Sequence, residues 1–217
     1  MLNGNTATPG RTFKCPACGK PCIIDANSLD DFVYYKGKYY HDECFNSRVY
    51  QGKKPVTLEQ IQRYKQASKD RLTELYNIDV LYCFLLRYYD LTVIPTTFWM
   101  KVKSLTEGNY HLVSVAIPYE HLYDMWRRKA NYLNKVAENN RRKGKPMEPE
   151  QRLQYDLAIL INQYDSYLRF LEQEKIKEAE VDEEPKKVIP VITVQQNHVK
   201  SIDDDNIDDL LDEVFGE

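Results

Sequence analysis

Apolar residues recur at helical spacing over most of the chain and at strand spacing over only a short stretch near the start. From Thr57 onward, Leu58, Ile61, Tyr64, Ser68, Leu72 and Leu75 return every three or four positions, the period that keeps side chains on one helix face. Thr57 and Gln60 supply a capping box, so a helix is expected from Thr57 to about Tyr76. Asp79 to Tyr89 is apolar on nearly every side (Val80, Leu81, Tyr82, Phe84, Leu85, Leu86, Tyr88), which predicts a second helix at the centre of a core. Pro95 then opens a third, with Phe98, Trp99, Val102 and Leu105 on one side and Gly108 at its end.

Tyr110 to Ile117 alternates and reads as a short strand. Pro118 starts a long helix with the stripe Leu122, Trp126, Leu133 and Val136. A further stripe, Leu153, Leu157, Leu160, Ile161, Tyr164, Leu168 and Leu171, predicts one more helix of similar length. Between them, Arg141 to Pro146 is too rich in Gly, Pro and charge to continue either, so the two helices are expected to fold back as an antiparallel αα-hairpin. Asp79 to Leu105 also reads, more weakly, as helix-turn-helix, with Lys101 and Lys103 on its second member and Tyr110 to Ile117 as a wing.

The N-terminal part follows another rule. Residues 1–12 are polar and punctuated by Gly and Pro, the composition of a disordered lead-in. Asp31 to Tyr40 places aromatic and β-branched residues around Lys36-Gly37, the pattern of a small hairpin. Lys53, Lys54 and Pro55 read as a linker. After Lys177 the periodicity dissolves into Glu-Ala-Glu-Val-Asp-Glu-Glu-Pro, a solvated segment by composition. The layout is therefore 1–12 disordered, 13–50 a small module, 56–176 a helical domain and 177–217 an acidic flexible tail. Within that tail, Val188 to Val194 reads as an isolated strand or a partner-ordered peptide, and Ile207, Leu210, Leu211, Val214 and Phe215 as a short amphipathic helix for docking a protein.

The whole chain of 217 residues has 42% apolar and 29% charged residues, a globular balance. No stretch nears the roughly 18 consecutive apolar residues of a membrane span, and the first residues lack an apolar signal core. The expectation is a soluble, cytoplasmic protein with no membrane partner. The net charge of −3 conceals a split. Residues 172–217 hold 15 acids against 5 lysines, a net of −10, which leaves 18 acids against 25 bases, a net of +7, for residues 1–171. A basic body joined to an acidic tail suggests affinity for polyanions and a tail that competes with them.

Cys15, Cys18, His41 and Cys44 form the pattern C-x2-C-x22-H-x2-C. Zn2+ takes thiolate and imidazole ligands, and each two-residue spacer lets a tight turn aim two of them at one ion. One structural zinc is therefore expected, with four strong ligands closing its sphere. Five cysteines cannot all pair as disulfides. Cys22 lies near enough in sequence to replace Cys15 or Cys18, although C-x2-C is the tighter match; Cys83, amid apolar residues, reads as a small buried hydrophobe. The pattern resembles the first zinc finger of LIM domains, a likeness carried also by Tyr40 before His41 and Phe45 after Cys44. It is similar too to treble-clef and ribbon modules that begin with a knuckle such as Cys15-Pro-Ala-Cys-Gly19. The likeness covers about 35 residues of 217 and implies a binding module.

Catalysis finds little support. Asp42 and Glu43 lie between two ligands, but no H-E-x-x-H and no H-x-E paired with P-C-x-x-C is present. His111, His121 and His198 stand apart, and no phosphate-cradling glycine motif occurs. The stronger signal is basic: Arg127, Arg128, Lys129, Lys135, Arg141, Arg142, Lys143 and Lys145 face Glu138 alone between positions 127 and 145. Lys36 and Lys38, interleaved with Tyr34, Tyr35, Tyr39 and Tyr40, add a second surface where bases stack while lysines hold phosphates.

The reading is a mainly α protein: a small β-hairpin zinc module, then an α-helical domain ending in a long αα-hairpin, then an acidic disordered tail. Its expected role is that of a non-enzymatic accessory or regulatory protein that binds nucleic acid, DNA or RNA, through its basic body, with no small-molecule substrate. Size and composition resemble accessory proteins of bacterial viruses and mobile elements. Asp203 to Phe215 resembles the acidic, apolar-tipped tails of single-stranded-DNA-binding proteins, here followed by Gly216 and Glu217. The alternative is a protein-interaction adaptor that uses the zinc module and the tail.

Overall fold

The computed structural model describes residues 8–50, 57–110 and 115–183. Two antiparallel hairpins come first. β1 (Arg11–Lys14) pairs with β2 (Pro21–Ile24), Arg11 opposite Ile24; β3 (Phe32–Tyr35) pairs with β4 (Lys38–His41), Phe32 opposite His41. The second is the hairpin the sequence predicts. Lys36 (φ 47°) and Gly37 (φ 80°) both take the left-handed conformation of a tight two-residue turn, whose twist matches that of the flanking strands. The first hairpin is a correction, since β1 begins at Arg11, inside the segment expected to be disordered; residues 1–7 lie outside the described ones. Along β2, Cys22 and Ile24 point inward while Pro21 and Ile23 face out, the period-two signature of a half-buried strand.

α1 (Asp42–Tyr50) follows β4 directly. Then α2 (Leu58–Tyr88) runs 31 residues without interruption, about 46 Å at 1.5 Å per residue. Its capping box is as expected, with Gln60 N–H donating to Thr57 Oγ1 and Thr57 N–H to Gln60 Oε1. The two helices read from the sequence are thus one. The apolar stripe does not stop near Tyr76; it changes partner, because Ile61 and Leu72 pack into the hairpin core whereas Leu81, Leu85 and Leu86 pack into a separate helical core.

The helical body adds α3 (Thr96–Thr106), α4 (Tyr119–Arg142), α5 (Pro149–Asn162) and α6 (Tyr164–Glu183). α3 and α4 follow Pro95 and Pro118, as their fixed φ favours. Trp126, Phe98, Leu122, Leu133, Leu153 and Leu160 are fully buried in the body's core. Of the expected strand, residues 111–114 lie outside the described ones, and Tyr110 and Val115 to Ile117 form no strand.

A second correction falls at Gln163. Its N–H closes on Leu160 O at 3.0 Å, tightening the last turn of α5, and its carbonyl then accepts from Tyr167 N–H at 3.0 Å to start α6. Arg152 of α5 reaches Asn134 of α4, so α5 runs back along α4 as a hairpin partner. By contrast His121 meets Tyr164, Asp124 meets Tyr167 and Arg128 lies over Phe170, so the first turns of α6 advance in the direction of α4. The expected single helix from Leu153 to Leu171 is therefore two, and Leu168 is left exposed. The architecture is the predicted class, mainly helical with two small hairpins at the N-terminus.

A buried polar network crosses the body. Trp126 Nε1 donates to Tyr89 Oη at 2.9 Å, and Tyr89 Oη donates to Asp156 Oδ2 at 2.7 Å. Arg152 Nε lies 3.4 Å from the same carboxylate, and Asp156 is fully buried. Burial pushes the Asp156 carboxyl above its ordinary range, more than the Tyr89 hydroxyl and Arg152 lower it.

Candidate metal centre

The β1–β2 turn builds the first half of the site. Cys15 N–H donates to Lys20 O and Gly19 N–H to Cys15 O, both at 2.9 Å, closing a knuckle whose Gly19 sits at φ 74°. Only a residue without Cβ takes that conformation at little cost. β4 ends at His41 and α1 begins at Asp42, which brings Cys44 onto the first turn of α1 beside the imidazole. One ligand atom from each of Cys15, Cys18, His41 and Cys44 lies within 4.8 Å of the others. A tetrahedron with Zn–S of about 2.3 Å has edges of about 3.8 Å, so the gathered atoms suit a single tetrahedral ion.

The histidine is oriented for this purpose. Its Nε2 is 3.2 Å from Pro21 O, a carbonyl that can only accept, which places the ring proton on Nε2. Nδ1 is then the lone pair left for a metal, and it faces Cys18 Sγ at 3.4 Å and Cys44 Sγ at 3.9 Å. Around Cys15 burial opposes ionisation, but backbone N–H groups of Cys18, His41 and Ala17, with the His41 side chain, outweigh it and hold the thiol down to about 6. Cys44 goes the other way, pushed up to about 11 by burial and by its neighbours Cys18 and Cys15. Sulfurs this close cannot all ionise unless a cation joins them, and these residues fit a metal for that reason.

Cys22 stands outside the four. It is buried, with Sγ 3.9 Å from His41 Nε2 and from Tyr39 O, and burial together with the charges of Cys15 and Cys18 raises it to about 11. Cys83 is buried on α2, as expected of a small hydrophobe. Asp42 pairs with Lys65 at 2.6 Å, tying the site's edge to α2.

The basic run is less open than its sequence suggests. Arg127 and Arg128 both pair with Asp124, at 3.3 and 2.5 Å, and Arg141 and Arg142 both pair with Glu138, at 2.9 and 3.2 Å. The two arginines hold Glu138 down to about 2. Asp124 lies one turn before the basic run, outside its linear charge count, and its i, i+3 and i, i+4 spacing to Arg127 and Arg128 is the sequence signal for both pairs. Lys129, Lys135, Lys143 and Lys145 are exposed and have no carboxylate partner among the described residues.

The hairpin tyrosines are mostly structural. Tyr39 and Tyr40 are buried, Tyr35 packs edge-on against Phe45 and Tyr64, and Tyr34 lies under the Arg71 guanidinium at 4.2 Å. Lys36 caps the Tyr35 ring at 5.2 Å, and Lys38 is exposed. On the segment read as helix-turn-helix, Lys101 bonds Gln154 Oε1 at 2.8 Å and Lys103 pairs with Glu107. Of the three isolated histidines, His121 bonds Tyr164 Oη, and His111 and His198 lie outside the described residues. The docking residues Ile207, Leu210, Leu211, Val214 and Phe215, and the segment Val188 to Val194, also lie outside them.

Among the described residues no helix is long and apolar enough to cross a membrane. No family model, no curated protein and no solved structure matches this chain.

Proposed function

We propose that this chain is a non-enzymatic accessory protein in which one structural zinc organises the N-terminal module and exposed cations bind nucleic acid. Zinc is favoured by the donor set, three sulfurs and one imidazole, which suits a borderline-soft tetrahedral ion. Four such ligands leave no position for an activated water, and this closure is what speaks against hydrolysis. The knuckle, the second hairpin and the first turn of a helix each contribute ligands, an arrangement like that of treble-clef modules and of the first half of a LIM domain.

The observation that carries the nucleic-acid reading is the set of exposed lysines without a carboxylate partner among the described residues, Lys129 and Lys135 along α4 and Lys143 and Lys145 in the loop after it. If four of them reach phosphates, the logarithm of affinity falls with the logarithm of salt at a slope of about −3 to −4. Fluorescence anisotropy with labelled single and double strands, across a salt series, tests this. No binding at low salt sinks the reading.

A second reading, the protein-interaction adaptor, is favoured by the four arginines held by Asp124 and Glu138, which is how an ordinary solvated helix disposes of its charge. On that reading, charge reversal at Lys135, Lys143 and Lys145 leaves a very weak affinity for oligonucleotides unchanged.

A further inference from the structure

The small hairpins carry two grooves of opposite sign. One opens over Cys18, His41 and Cys44 and is lined by Asp30, Asp31, Asp42 and Glu43 against Lys20 alone. The other, about 430 Å³, runs between the β1–β2 and β3–β4 turns and has no carboxylate in its wall. Phe13, Pro16 and Tyr39 give it its apolar lining, and Lys14 and Lys38 line it with positive charge. The Phe13 ring leans on the buried Tyr39 ring, centroids 4.3 Å apart and planes inclined at 33°, and Phe13 keeps part of its surface open to solvent.

Two features shape the mouth. Gly19 and Gly37 hold left-handed φ values of 74° and 80°, so the turns need glycine for conformational reasons. The same glycines line the groove without side chains: a Cβ on Gly37 would meet nothing within 4 Å, and one on Gly19 only Lys14 Cε at 3.9 Å. Lys14 and Lys38 are exposed, and no ion pair involves them among the described residues. A flat apolar ring flanked by anions is the ligand that such a slot complements.

We propose that this groove takes a single-stranded nucleic acid, one base stacking on the exposed part of the Phe13 ring, which Tyr39 backs from within, while Lys14 and Lys38 meet the phosphates. The inference rests on the nucleic-acid reading and relocates part of it, from α4 to the module that the metal organises. A duplex is excluded because its bases are already stacked on one another and cannot enter a slot of this size. Acidic residues of a peptide would satisfy the lysines but make no use of the exposed Phe13 ring, which is why a nucleic acid is favoured over a protein.

The test uses the full chain and a short labelled pyrimidine strand carrying bromouracil, read by anisotropy and by ultraviolet crosslinking. Lys14→Glu with Lys38→Glu should weaken single-strand binding by about tenfold or more at low salt and leave duplex binding unchanged. Phe13→Leu, which keeps apolar volume against Tyr39, should weaken it by about fivefold or more and abolish crosslinks at the groove. Zinc content equal to that of the parent chain shows that the variants are folded. If single-strand affinity survives both changes and is lost instead with Lys135→Glu and Lys143→Glu, the groove is wrong while the nucleic-acid reading stands. Binding of a glutamate-rich peptide in the groove, with no oligonucleotide bound, overturns it in favour of a protein ligand. If the parent chain binds no oligonucleotide at all, both fall.

Discussion

The hairpin module and the helical body bury apolar residues by different means. In the body, eighteen side chains from α2 to α6, with Trp126 fully enclosed, make a large apolar core crossed by one buried polar network. The module has only a small cluster, Cys15, Cys22, Ile24, Phe32, Val33, Tyr39, Tyr40 and Phe45, which borrows Ile61 and Leu72 from α2. Four-residue strands give too little area to offset the chain entropy of their loops, so the borrowed helix face, and on the proposed reading a metal at the Cys3His cluster, supply the difference. A single helix can thus belong to two cores that depend on different chemistry.

The largest expected effect is metal loss. A structural zinc contributes on the order of 10 to 16 kcal/mol to folding a finger-sized peptide. Chelation, or Cys44→Ser, should therefore remove amide-exchange protection from β1 to β4. Because Ile61 and Leu72 lose their partners, protection should also fall along the first half of α2, while α4 and α5 keep theirs. Protection that persists in the hairpins without metal would show that apolar packing suffices there.

Next comes a cavity in the other core. Leu133→Ala should destabilise the body by about 2 to 5 kcal/mol in urea denaturation, with one metal still bound per chain. Loss of metal in that variant would mean that the cores are coupled through α2 more tightly than their separate packing implies.

A smaller effect concerns pH. Asp156 has a carboxyl raised above 3.8 in the folded chain, so between that value and its raised one the native state holds a proton that the unfolded chain has released. Stability contributed by this proton is full below the unfolded value and is lost as pH rises through the folded one, at most about 1.4 kcal/mol per pH unit. Asp156→Asn should flatten that slope in urea melts of the body and leave the module's metal binding alone. An unchanged slope would place the sensitivity elsewhere.

The smallest effect is at the seam. Arg11 Nε and Nη2 bond Asp79 at 2.8 to 3.0 Å, linking β1 to α2, but Arg11 is 40% exposed and water screens the pair. Arg11→Gln should cost less than about 1 kcal/mol by thermal denaturation. A larger loss would make this pair a principal joint between module and helix.

Local chemistry was legible in the sequence, and partner exchange was not. Ligand spacing, the Lys36-Gly37 turn, the Thr57 cap and the prolines ahead of α3 and α4 are short-range signals, and each appears where the sequence places it. The continuity of α2 was missed because a stripe that rotates from one core to another looks like a break. The turn at Gln163 carries no Gly or Pro, so only the tertiary contacts of Tyr164 and Tyr167 reveal it. β1 hid within a polar lead-in because its pairing with β2 is set by the knuckle. Asp124 was missed because a charge was counted along the sequence instead of around the helix.

Central to the account is one ion closed by three sulfurs and one nitrogen. Zinc K-edge absorption spectroscopy on the purified chain tests it directly. The expected result is one zinc per chain with three Zn–S distances of about 2.3 Å and one Zn–N distance of about 2.0 Å. Substoichiometric metal, or an oxygen of water in place of one of those four side chains, would contradict it.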